Sequence, residues 1–202
     1  MVMRRRAIVL ALAALVAVAL QPAQARVVKG AAAEKVASEA AAYLKSVTTL
    51  SASFEFVTAK GNTNGFIFMD RGRHAVRLQF GDPLNYMLLV DGAKTTFHGG
   101  DGTVVQVSTA GTPLTFLLDP KTGPEGPIQV LEVDERGANV FIALAERGNV
   151  AAGQAVMQFQ REPEWRLIDW GVYDEQGRYS KTVLGRLQIG LKLDPALFAA
   201  PK

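Results

Sequence analysis

Gly65-Phe66-Ile67-Phe68-Met69-Asp70-Arg71-Gly72-Arg73 is the stretch that decides the fold. Successive residues of a strand point to opposite faces. Phe66 and Phe68 therefore share one face, and Ile67 and Met69 share the other. A strand that is apolar on both faces needs cover on both, or a sheet that curls until one face encloses its own side chains. Arg71 has the parity of Ile67 and Met69, so whichever face those two line also meets the cation at the strand's end.

The pattern continues in both directions. From Leu50, Ala52, Phe54 and Phe56 alternate with Ser53, Glu55 and Val57, and residues 60–64 read as a turn. Strands follow at 75–80 and 86–91, where Tyr86, Leu88 and Val90 oppose Met87 and Leu89. Asp91-Gly92 and Asp101-Gly102 are turn dipeptides. Further strands are expected at 103–108, 128–134, 139–145, 155–160, 167–174 and 179–191. Short strands joined by tight turns imply antiparallel pairing in a single meandering sheet of about ten strands.

Two helical pieces accompany the strands. Residues 31–47 carry Val36, Ala40, Tyr43, Leu44 and Val47 at helical spacing, a narrow and alanine-rich stripe. Thr112 and Pro113 read as a helix start, and the segment to Leu118 is apolar nearly all round until Asp119-Pro120 stops it. Such a helix must cover something or be covered. A curled sheet closed by these helices, or an ordinary barrel or sandwich core, both satisfy the pattern.

The N-terminus reads as an export signal. Arg4, Arg5 and Arg6 precede an uncharged run at 7–20, and Ala23-Gln24-Ala25 offers small residues at a cleavage site. The run is shorter than the roughly 20 apolar residues of a membrane span. The expected mature chain, 26–202, is one domain. Without the three arginines it has as many cations as its 19 acidic residues, so nothing in its charge points to nucleic acid. There is no cysteine, which excludes a thiol nucleophile, disulfides, thiolate-bound metal and a lipidated cysteine. After export the protein is expected to be free in the periplasm.

Catalytic signatures are lacking. His74 and His98 have no second ligand at metal-binding spacing, and neither a G-x-S-x-G turn nor a phosphate-cradling loop opens a helix. Asp169, Asp174 and Glu175 could form an acid–base pair but sit near a hairpin, where solvated charges are ordinary. No cofactor or metal is expected, and no enzymatic activity.

Five motifs together carry a family resemblance. Gly65–Arg73 is followed by Asp91-Gly92, then Thr112-Pro113-Leu114, then Trp170-Gly171-Val172-Tyr173-Asp174-Glu175-Gln176-Gly177, and finally Asp194-Pro195-Ala196-Leu197-Phe198. In this order they resemble the LolA family of periplasmic lipoprotein carriers. The proline that usually follows the family's strand-end arginine is absent here. The resemblance implies a mainly β fold: a strongly curved, incomplete antiparallel barrel, LolA/LolB-like, with a helical lid. It implies a monomeric shuttle that takes acylated lipoproteins from an inner-membrane ABC transporter to an outer-membrane acceptor. It also implies that Arg71, or alternatively Arg73, latches the lid.

On this reading the lipid cavity is lined by Phe54, Phe56, Ile67, Met69, Val76, Leu78, Leu88 and Val90 from the sheet, and by Phe116 and Leu117 from the lid. A related half-barrel that binds free lipid or senses lipoproteins is the first alternative. A secreted β-rich hydrolase with an unrecognised carboxylate pair is the second.

Overall fold

Strand β1 (Arg26–Val28) and helix α1 (Ala31–Ser46) open the fold. There follow β2 (Thr49–Thr58), β3 (Gly61–Asp70), β4 (Ala75–Phe80), β5 (Met87–Asp91), β6 (Lys94–His98) and β7 (Val104–Ser108). Helix α2 (Pro113–Leu118) separates these from β8 (Ile128–Arg136), β9 (Asn139–Glu146), β10 (Gln154–Gln160), β11 (Arg166–Tyr173), β12 (Tyr179–Leu184) and β13 (Gln188–Ile189). This computed structural model describes residues 25–92, 94–108, 113–120 and 126–200. All but the last residue of the signal segment expected at 1–25, Thr112 at the expected helix start and most of the loop expected at 121–127 lie outside the described residues.

The thirteen described strands form one antiparallel sheet, in the order β1-β8-β9-β10-β11-β12-β2-β3-β4-β5-β6-β7, with β13 also on β2. The expected single meander is in fact two. Strands β2 to β7 and β8 to β12 each run in sequence order, and the halves join where Ser180 to Leu184 pair with Thr58 to Phe54. Turn signals reveal which strands meet across a turn, but no turn links β12 to β2. What brings them together is that the inner faces of both halves bury on one core, with Leu44, Ile67, Val76, Ile142, Met157 and Phe159 all in a single cluster. The terminal strands β7 and β1 do not pair with each other, so the wrapped sheet stays an incomplete barrel.

Helix α1 lies on the inner side, packed against β8. Its buried face is Ala33, Val36, Ala37, Ala40, Ala41 and Leu44, and the alanines let the helix approach the sheet closely. Glu34 in its first turn and Lys45 in its last suit the helix dipole. Helix α2 packs against β4 and buries Leu114, Phe116, Leu117 and Leu118.

Three element expectations need correction. The turn expected at 60–64 is tighter, because Gly61 to Asn64 continue the β2–β3 ladder; Asn62 Nδ2 there donates to Glu55 Oε1 at 2.8 Å. Strand β6 lies between the two expected turn dipeptides but without expected bounds, since Lys94-Thr95-Thr96-Phe97-His98 carries its β preference in two threonines rather than in an apolar alternation. The strand expected over 179–191 breaks at Gly185, whose N–H donates to Ser53 O at 2.8 Å. A β-carbon at Gly185 would press on Ser53 Oγ, so a larger residue there requires Ser53 to turn aside before β13 rejoins β2.

Beyond β13 the chain crosses the outer face. Thr49 Oγ1 donates to Leu191 O at 2.8 Å, and Arg77 Nη1 donates to Leu197 O at 2.9 Å within the 3-10 turn Pro195–Phe198.

Candidate functional site

The strand registers place the inner side chains in transverse rows. Leu50 stands opposite Met69, Met69 opposite Val76, and Val76 opposite Val90. A second row runs Ala52, Ile67, Leu78, Leu88, Phe97. A third crosses into the other half of the sheet: Thr63, Phe56, Thr182, Trp170, Met157, Ile142, Val133. Ile67 and Met69 are each 1% exposed, whereas Phe66 on the opposite face of the same strand is 57% exposed.

Every residue named from the sequence as a cavity lining lies in or against this inner cluster. Phe54, Ile67, Met69, Val76, Leu78, Val90, Phe116 and Leu117 are buried in it, while Phe56 and Leu88 are half-buried against it. Around α2 the cluster is filled by packed side chains.

Arg71 connects the lid to the sheet. It follows the last residue of β3, and its backbone N–H donates to Thr48 O at 2.9 Å. Its Nη2 donates to Leu44 O at 2.7 Å, its Nε to Val47 O at 3.2 Å, and its Nη1 to Leu118 O. Leu44 ends the buried face of α1, and Leu118 is the last residue of α2. Terminal carbonyls of a helix have no intrahelical partner and carry the negative end of the helix dipole. One guanidinium, with five donors in a fixed fork, answers two helix C-termini at once. Burial lowers the Arg71 pKa, and the neighbouring Asp119 carboxylate opposes that shift. Arg73, the alternative latch, does not reach either helix. Its Nε lies 3.2 Å from Asp70 Oδ2, and its side chain is half exposed.

The open space lies elsewhere. A cavity of about 540 Å³ sits at the opposite end of β2 and β3. Its walls come from the β2–β3 hairpin (Phe56, Lys60, Thr63), the β4–β5 loop (Pro83, Leu84, Tyr86) and the β11–β12 hairpin (Val172, Arg178, Tyr179). Sequence reasoning reached Phe56 and, through the face it shares with Leu88 and Val90, Tyr86. The others come from hairpin ends and a loop far apart in sequence, whose three-dimensional neighbours no local pattern records. A larger hollow of about 760 Å³ opens around Gly65 and Phe66, with Ser53, Glu55, Asn64 and Gln79 along it.

The other candidates resolve into structural roles. Asp169 is 6% exposed and its Oδ2 lies 2.8 Å from Lys181 Nζ. Burial raises its pKa, and the hydrogen bond and charge of Lys181 oppose that. Asp174 sits in the β11–β12 turn, where its carboxylate accepts from the backbone of Gln176 and Arg178 and from Arg178 Nε at 2.6 Å. Each of these two carboxylates is thus paired with a cation. His74 sits in the β3–β4 turn at a positive φ of 51°. Among the described residues no cluster of His, Asp and Glu could hold a metal ion, and no helix is long and apolar enough to cross a membrane.

No family model matches the chain, and no curated protein is similar to it in sequence. Solved structures do resemble it. One is an uncharacterized conserved protein from Thermus thermophilus, at 8% identity and a TM-score of 0.51, over 83% of this chain and 94% of that one. Another is a LolA superfamily protein from Nitrosomonas europaea, at 8% identity and a TM-score of 0.45, over 81% and 97%. A third is the lipoprotein LppX of Mycobacterium tuberculosis, at 12% identity and a TM-score of 0.44, over 82% and 100%. At such identities the likeness is one of fold.

Proposed function

We propose that this protein is a binding protein, not an enzyme, and that it carries lipid-bearing proteins through the periplasm from the inner membrane to an outer-membrane acceptor. The observation that carries this reading is the Arg71 contact: a single cation ties the C-termini of α1 and α2 over the most apolar face of the sheet. The five motifs that resemble the LolA family support it, as does the export signature at residues 1–25.

The physics of the task agrees. Each buried methylene contributes about 0.8 kcal/mol, so keeping an acyl chain of about fifteen methylenes exposed to water costs on the order of 12 kcal/mol. Such cargo needs a dry enclosure that travels with it. The enclosure must also release, and a lid whose closed, empty state is favoured opposes retention. Arg71 supplies that bias, because its bond to Leu118 exists only when α2 is down. The lid residues Phe116 and Leu117 fill the empty protein's interior and are displaced by acyl chains.

The test is release of cargo from inner-membrane vesicles that hold a triacylated lipoprotein and its transporter. Added protein should appear in the soluble fraction as a one-to-one complex with the lipoprotein, identified by mass spectrometry. Recovery of free lipid alone would support the half-barrel alternative instead. Recovery of neither, with hydrolysed lipid in its place, would support the hydrolase.

A further inference from the structure

The cavity at the hairpin end is separate from the lid. From Thr63 to Arg71 runs about 25 Å of strand. Among the described residues, none of α1 or α2 lines this cavity. An aromatic wall stands between it and the packed interior: Phe80 lies 5.0 Å from Phe54, 5.3 Å from Phe56 and 4.2 Å from Tyr86, centroid to centroid. Phe80 itself is 6% exposed, packed among these rings. The cavity is therefore open while the lid is shut, and it does not depend on displacing Phe116 or Leu117.

Its chemistry is amphipathic. Phe56, Leu84, Tyr86 and Val172 present apolar surface. At about 540 Å³ it falls within the roughly 300–1,000 Å³ of pockets that take one small ligand. Two cations and one carboxylate stand at the rim, and the carboxylate, Asp174, is bound to Arg178 at 2.6 Å. That leaves Lys60 as a cation with no carboxylate partner among the described residues. The Tyr86 hydroxyl also has no hydrogen-bond partner among them. Burial raises its pKa, which keeps it a neutral donor.

We propose that this end cavity is a second binding site, which takes a single acyl chain with an anionic head group while the lid remains closed. The chain lies against Phe56, Tyr86, Leu84 and Val172, and the head group meets Lys60 and the Tyr86 hydroxyl. The carrier reading is tested at the lid and this one at the far end, so either can fail alone.

Calorimetric titration with dodecanoate, decanoate and dodecanol tests the site. Dodecanoate should bind the parent one to one. Each buried methylene is worth about fourfold, so decanoate should bind up to about fifteenfold more weakly. Val172→Glu should weaken dodecanoate at least tenfold with an unchanged melting curve. Should Val172→Glu not fold, Leu84→Asp in the exposed loop serves the same purpose. Lys60→Gln should weaken dodecanoate and leave dodecanol unaffected. Indifference to both cavity variants would put the ligand under the lid and overturn the proposal, as would no dodecanoate binding at all.

Discussion

Replacing Arg71 by leucine isolates the lid equilibrium. Three hydrogen bonds disappear, but they do not count equally. Those to Leu44 and Val47 stay within the pair formed by α1 and the β2–β3 ladder, whether α2 is up or down. Only the bond to Leu118 is made in the closed state and broken in the open one. A hydrogen bond from a charged group contributes about 1.5–3 kcal/mol, and partial exposure of Arg71 selects the lower end. Arg71→Leu should therefore shift the closed-to-open ratio by about 1.5 kcal/mol, or roughly tenfold. Hydrogen exchange reads this directly: backbone amides of α2 should exchange about tenfold faster in the variant, while those of β9 and β10 should not change. A triacylated lipopeptide should bind about tenfold more tightly and leave correspondingly more slowly for acceptor vesicles. Arg73→Leu should do neither, because among the described residues Arg73 pairs with Asp70 and with no carbonyl of α1 or α2. Unchanged α2 exchange in Arg71→Leu, with unchanged release, would refute the latch and leave only an apolar container.

Gly65→Ala should destabilise by about 1–3 kcal/mol in urea unfolding, since the new β-carbon would overlap Gln79 O and Phe54 Cζ. Phe159→Ala, at 0% exposure, should cost about 3–5 kcal/mol, whereas Phe66→Ala at 57% exposure should stay within about 0.5 kcal/mol in the same assay. Asp169 has a folded pKa raised above its ordinary value of 3.8. Its contribution to stability is thus present below that value and is lost as pH rises through the folded pKa. Asp169→Asn should flatten the fall in unfolding free energy just above pH 3.8, and an unaltered pH profile would show that burial does not perturb this carboxyl.

Much of the fold is legible in the sequence because burial enforces parity. Leu50, Ala52 and Phe54 share a face in β2, Ile67 and Met69 in β3, Val76 and Leu78 in β4, and a period of two exposes such sets without any knowledge of partners. The Arg71 contact is reached through a resemblance; the residues alone show only a cation at a strand end. What local pattern cannot contain is any meeting between parts distant in sequence. The β12–β2 junction, the C-terminal crossing held by Arg77, and the hairpin-end cavity built from three separate turns are all of that kind. Gly185 is a legible breaker inside the expected final strand, but its reason, the approach of Ser53, lies on another element.

The β12–β2 junction also bears on the order in which the chain can fold. Pairings such as Thr58 with Ser180 and Phe54 with Leu184 cannot form until almost all of the chain is present. Until then β2 has β3 on one side and an unpaired edge on the other. Contacts so far apart in sequence raise contact order and slow folding, because loop closure must precede any gain. For a chain that leaves a ribosome from its N-terminus, such a delay keeps the sheet unfinished during synthesis. The first meander can form and dissolve, but the wrapped sheet has no route to completion while the C-terminal hairpin is still being made. The same delay leaves the β2 edge open to pairing with another chain, so the unfolded precursor is the form most in need of a chaperone.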